Sequence, residues 1–202
     1  GGTQNTAVGS GAGAAISTAD DLTAVGYNAA KLSTVAATAV GSGALDALTT
    51  GLYNTGVGYQ ALSAVVTGAR NTALGESALS LQTANDSVSV GYLAARQTTA
   101  NFTTAVGSYS LEASTTGTGN TGVGYNSLAS IVTGANNTAL GYGAASTSTS
   151  AGITAIGAST VISATDGVAL GRAATVTHSD AVAIGASTAT ARTASVCIGA
   201  RD

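Results

Sequence analysis

The residues able to do chemistry are few. His178 is the only histidine and Cys197 the only cysteine in 202 residues. The run His178-Ser179-Asp180 holds the residue types of a nucleophilic triad, in which an imidazole takes the proton of a serine hydroxyl. Such a triad needs its groups converging in one pocket, whereas neighbours in an extended chain point to opposite faces. The run reads as a solvated turn, and no enzyme is expected. Cys197 stands alone, so there is no intrachain disulfide and no four-ligand zinc site. Asp20-Asp21 would suit a calcium corner only with further ligands, since hard cations take about six to eight oxygens; it reads as a solvated loop. Gly9-Ser10-Gly11 and Gly41-Ser42-Gly43 lack the Gly-Lys-Ser/Thr of a phosphate cradle, and the only lysine, Lys31, follows Ala30. Neither cofactor nor metal is expected.

The tyrosines carry more order. Five of the seven, Tyr27, Tyr59, Tyr92, Tyr125 and Tyr142, directly follow a glycine of a repeat. Stacked coils would set these rings along one edge. They read as a packing ladder that covers the turn, or as a stripe for sugar or protein recognition. They are the candidate receptor contacts.

The elements that hold these residues come from a repeat of the form small–aliphatic–Gly. Its thirteen glycines are Gly9, Gly26, Gly41, Gly58, Gly75, Gly91, Gly107, Gly124, Gly141, Gly157, Gly171, Gly185 and Gly199, spaced 14 to 17 residues apart. A short period running end to end means coils stacked on coils. The residue before each glycine is aliphatic, from Val8 to Ile198, and two earlier stands Thr in nine coils and Val in four. Such β-branched pairs suit one face of a short strand, and the expectation is that this face lines the coil interior.

Between them lies a column that is always small: Ala7, Ala24, Ala39, Gly56, Ala73, Ser89, Ala105, Gly122, Ala139, Ala155, Ala169, Ala183 and Cys197. This column reads as steric exclusion on the second face. In so thin a chain the covering layer would be another copy, which makes these residues the expected inter-chain packing. Three residues after each of the first twelve glycines comes a second small column, often followed by an apolar residue such as Leu45, Leu62, Leu79, Leu111, Leu128 or Val161. The expectation is a second short strand closing the coil. Turn-formers such as Thr50-Gly51 and Thr116-Gly117 separate the coils.

Residues 39–80 match residues 105–146 at an offset of 66, with 27 of 42 positions identical. A four-coil block has been duplicated. Coils run 15–17 residues to about position 157 and 14 residues over 158–202, which reads as a single repetitive domain spanning 1–202. With no Pro, Met or Trp and only 15 charged residues, the composition is unlike an ordinary globular surface. The scattered arginines offer no basic stripe for nucleic acid. No apolar run reaches the ~18 residues of a membrane span, and no signal peptide is present, so the chain reads as a mature or excised segment.

Asp180-Ala181-Val182-Ala183-Ile184-Gly185 and Ser195-Val196-Cys197-Ile198-Gly199 resemble the repeat of YadA-like trimeric autotransporter heads. The longer coils, such as Asn54-Thr55-Gly56-Val57-Gly58-Tyr59 and Asn71-Thr72-Ala73-Leu74-Gly75, look like a related repeat of phage tail fibres and tail-fibre-like bacterial surface proteins. The resemblance covers essentially the whole chain. It implies an all-β, left-handed parallel β-roll of about 13 coils, assembled as a parallel homotrimer and an elongated rod on the order of 60 Å long. It further implies an extracellular adhesive role, on a virion tail fibre or a bacterial cell surface. The partners would be the chain itself and a cell-surface glycan or protein receptor, with no nucleic acid and no membrane insertion in this segment. Tail fibres of this kind often continue into a self-cleaving chaperone, and Arg201-Asp202 would be either where such a segment was removed or merely the end of the segment. The prevalence of longer coils favours the fibre over the autotransporter head. A different class, an ice- or surface-binding solenoid, would use the Thr column as a flat rank; the Val interruptions are expected to turn that column inward.

Overall fold

A computed structural model describes residues 2–81 and 85–199; Arg201-Asp202 lie outside them. The described chain is all-β, a parallel β-solenoid of about twelve turns with no helix. Thirteen strands of three or four residues, from Thr6–Val8 to Val196–Ile198, form one parallel sheet, each strand paired with those of the coils before and after it. The register follows the glycine alignment. Thr6 faces Thr23, Ala7 faces Ala24 and Val8 faces Val25, and the same three columns stay matched to Val182–Val196, Ala183–Cys197 and Ile184–Ile198.

The repeat glycine fixes the turn after each strand. Along the column φ runs from +108° to +138°, a region closed to side-chain-bearing residues. The coils also approach most closely here. A Cβ on Gly58 would lie 2.5 Å from the Gly75 carbonyl oxygen, and one on Gly9 would lie 2.7 Å from that of Gly26.

The strand faces are the reverse of the expected ones. The small column points into the coil: Ala24, Ala39, Ala73, Ser89, Ala105, Ala139, Ala155, Ala169 and Ala183 are all 0% exposed within a single chain, and Gly56 and Gly122 are buried beside them. The flanking Thr/Val and aliphatic columns point outward and stay half-buried or exposed. The thirteen small residues from Ala7 to Cys197 therefore form no inter-chain face; only in the first and last coils do Ala7 and Cys197 retain exposure. Steric exclusion does set their size, but the chain's own interior excludes. A Cβ on Gly56 would meet Leu45 Cγ and Ala61 O at 3.2 Å, and one on Gly122 would meet Ser110 Oγ at 2.7 Å, Ser127 Oγ at 2.9 Å and Leu111 Cγ at 3.3 Å. The core is that apposition: small strand residues against Leu45, Leu62, Leu79, Leu111 and Leu128, with Leu48, Val65 and Ile131 behind, all fully buried.

The second strand is confined to the short coils. Val161–Ile162 pairs with Thr175–Val176, and Thr175 bridges to Ala189. In the longer coils the same column is a turn with left-handed backbone: φ is +53° at Leu45, +54° at Leu62 and +50° at Leu128. Left-handed φ is steepest in cost for β-branched side chains, which disfavours the turn at Val161 and Thr175; Ala189 extends with them, so the shorter coil contributes as well. The turns still stack by backbone hydrogen bonds. Leu45 N donates to Ala61 O, Leu62 N to Ala78 O and Leu128 N to Ala144 O, each at 3.0 Å.

Candidate functional site

The chemically suggestive residues are not brought together. His178 Nδ1 contacts Thr177 Oγ1 at 2.9 Å, while the Ser179 hydroxyl lies 3.3 Å from Thr165 Oγ1 on the preceding coil. No hydrogen bond links His178 to Ser179 or Asp180 among the described residues. Cys197 lies in the last strand of the sheet, unbonded and partly exposed. Asp20 accepts hydrogen bonds from Thr3 N at 2.6 Å and Thr3 Oγ1 at 2.9 Å. These bonds, the backbone one foremost, hold its carboxyl below the ordinary value. Among the described residues no three His, Cys, Asp or Glu side chains gather as a metal site would require, and no helix is long and apolar enough to cross a membrane.

The tyrosines do form an edge. Tyr27, Tyr59, Tyr92, Tyr125 and Tyr142 are all exposed, each on the coil turn after its strand. Their column divides into two parts. On the second block the rings touch: Tyr92 and Tyr109 are 5.3 Å apart, Tyr109 and Tyr125 5.8 Å, Tyr125 and Tyr142 5.2 Å. The first two contacts are edge-on and the third is stacked, geometries that aromatic pairs favour. Tyr109, one residue further along its turn than the others, completes this run. Burial, with Tyr92 next, raises its phenol above the ordinary value.

On the first block the rings stand apart. Between Tyr27 and Tyr59 the intervening coil carries only Ser42 and Gly43, leaving a cavity of about 200 Å³ that Asp46 also lines. Burial pushes the Asp46 carboxyl above its ordinary value, against its backbone hydrogen bonds and the opposing pull of Lys31. A second recess of about 340 Å³ opens on the strand side between Asp21 and Tyr53, where the 15-residue coil contributes Ala36, Ala37 and Thr38.

Two features escaped the sequence reading. One is a buried asparagine ladder. Asn54 Oδ1 accepts from Asn71 N at 3.0 Å, and Asn54 Nδ2 donates to Gly51 O at 3.0 Å and Gly68 O at 2.6 Å. In the duplicated block Asn120 repeats all three bonds, to Asn137 N, Gly117 O and Gly134 O. The signal was present in the Asn that opens the strand in five coils: Asn5, Asn54, Asn71, Asn120 and Asn137. The other is charge pairing between coils, with Arg70 Nε 2.5 Å from Asp86 Oδ1 and Nη2 2.8 Å from Oδ2.

The surface with most capacity for a partner is the outward strand face. Val8, Leu74, Val88, Leu140, Ile156 and Val196 stand exposed along it, in columns that run the whole length of the sheet. The chain matches no protein-family model and no curated protein sequence.

Proposed function

We propose that this chain is a structural and adhesive segment of an extracellular trimeric fibre, of the phage tail-fibre or tail-fibre-like type, that attaches to a cell surface. The supporting observation is the outward face. A sheet of thirteen strands presents aliphatic residues in one unbroken column and Thr or Val in another, with no charged side chain in either. Soluble monomers seldom leave so long an apolar strip uncovered. Its regular rise suits the same strip on a parallel copy, and three copies around one axis would cover all three faces. In this reading about 13 left-handed coils per chain make the rod, and attachment is by weak contacts multiplied over three chains.

Light scattering on the purified chain tests it. A mass of three times 19.0 kDa is expected, together with binding of the labelled protein to bacterial cells. A folded monomer that binds no cell would overturn the reading.

One finding favours a second reading. The Thr column, expected inside, faces outward in nine coils from Thr6 to Thr154, so a flat hydroxyl rank is available to an ice or mineral surface. Thermal hysteresis in a solution of folded monomer is the result that would select it.

A further inference from the structure

The duplicated block supplies an internal control for the cavity between Tyr27 and Tyr59. At the 66-residue offset Ser42 corresponds to Ser108, Asp46 to Glu112 and Tyr59 to Tyr125, and Tyr27 corresponds to Tyr92 as the residue after the preceding repeat glycine. The exchange that alters the space is Gly43, which stands where the second block has Tyr109; Asp46, Gln60 and Asn28 also have different counterparts there, Glu112, Asn126 and Leu93. The Tyr109 ring fills the gap, 5.3 Å from Tyr92 and 5.8 Å from Tyr125, edge-on to both at 85° and 76°. Tyrosines two coils apart thus admit one six-membered ring between them. In the first block Gly43 brings no ring, and the gap stays open as the cavity of about 200 Å³.

We propose that this slot binds one hexopyranose unit of a surface glycan, its ring held between Tyr27 and Tyr59 and its hydroxyls bonded by Asp46, Asn28 and Gln60. The proposal rests on the adhesive reading of the rod and gives it a contact site. Three observations select a polyhydroxylated ring. The first is polarity: Asn28 lines the open slot where the filled one has Leu93 in the same column. The second is availability. The amides of Asn28 and Gln60 and the hydroxyl of Ser42 make no side-chain hydrogen bond among the described residues, and all three residues line the slot, so unused donors and acceptors border it. The third is Asp46. Its carboxyl is partly desolvated and raised, which makes hydroxyl donors from a ligand favourable. A cation would compete there with Lys31, which already attracts that carboxyl. Tyr27 at 61% and Tyr59 at 52% exposure leave the slot open to solvent.

Saturation-transfer-difference NMR on the whole chain tests this, using the methyl glycosides of glucose, galactose, mannose and N-acetylglucosamine, with tetramethylammonium chloride as the cationic comparison. Two variants accompany the wild type. Gly43→Tyr copies the second block. Gly43 has φ +67° beside +59° at Tyr109, and a Cβ there meets only Gln60 Cγ at 3.5 Å, so the fold accepts it. Asp46→Ala removes the hydroxyl acceptor and leaves the walls. At least one glycoside is expected to give transfer from the wild type, falling at least fivefold in each variant while the circular dichroism spectrum is unchanged. No transfer from any glycoside, transfer that persists undiminished in both variants, or transfer from tetramethylammonium alone would overturn the proposal. Because the readout needs only folded protein, a silent slot leaves the trimer standing, and a monomeric chain leaves the slot testable.

Discussion

At the scale of single residues, stability is concentrated where a side chain serves two coils at once. Asn120 has no exposure and makes four hydrogen bonds to three residues, and its loss strands two carbonyls and both the backbone and the side-chain N–H of Asn137 inside the turn stack. An unsatisfied buried group costs about 1–3 kcal/mol, so Asn120→Ala should lower unfolding stability by at least that much in urea titration. Asn5, in the partly exposed first coil, should cost clearly less. Leu62 is fully buried against the small column, and Leu62→Ala should cost about 2–5 kcal/mol by the same measurement. The Arg70–Asp86 pair behaves otherwise. Both side chains are solvated, and exposed pairs add little. Its hydrogen bond to Arg70 holds the Asp86 carboxyl below the ordinary value. Whatever the pair contributes is therefore present above the ordinary carboxylate pKa and is lost as pH falls through the lowered one. Arg70→Gln should shift the thermal midpoint slightly at pH 7 and not at all once Asp86 is protonated.

At the scale of the element, coil length and branching at Cβ together set which kind of turn a coil makes, alanine being left-handed at Ala145 in a long coil and extended at Ala189 in a short one. Leu128 sits at φ +50° and donates its N–H to Ala144 on the next coil, whereas Val161, in the corresponding column of a short coil, is extended and paired. Leu128→Ile keeps volume and hydrophobicity, a swap that ordinarily costs under about 1.5 kcal/mol. Here it should cost more, because isoleucine resists the left-handed region, and Leu128→Met should cost less; chemical denaturation of the two variants checks the difference. The same column shows what the sequence could and could not tell. Periodicity identified which residues share a face and which glycines stack, and the strand register follows it coil by coil. It could not say which face points inward, because alternation is symmetric to that exchange. The deciding fact is that Leu45, Leu62 and Leu128 reach the interior from left-handed turns, and handedness at a leucine has no signature in composition. Once they fill the coil, only Ala, Gly, Ser or Cys fits opposite. The tyrosine edge was legible because its residues follow a fixed glycine, whereas Tyr109 lies one residue off that column and became visible only through ring contacts.

At the scale of the whole molecule, the inverted faces change what assembly depends on. A chain whose small column met another copy would lose its oligomer first on enlargement of Ala73. Ala73 instead packs inside its own coil at 0% exposure, so Ala73→Leu should destabilise the coil itself, by about 1–3 kcal/mol or more from overpacking. Leu74, its neighbour, is 49% exposed, and Leu140, the matching residue of the duplicated block, is 48% exposed. If the outward strip is the shared surface, glutamate at both positions buries two uncompensated charges per chain at the axis, and buried unpaired charge is strongly disfavoured. Leu74→Glu with Leu140→Glu should then reduce the light-scattering mass from three times 19.0 kDa to a single chain while leaving the β-sheet circular dichroism intact. Gln60→Leu, on the turn edge away from the strip, should leave the mass unchanged. The two substitutions at 73 and 74 thus separate folding from assembly. A trimer that survives both glutamates would place the shared surface elsewhere, and would free the outward threonine rank for the solid-surface reading.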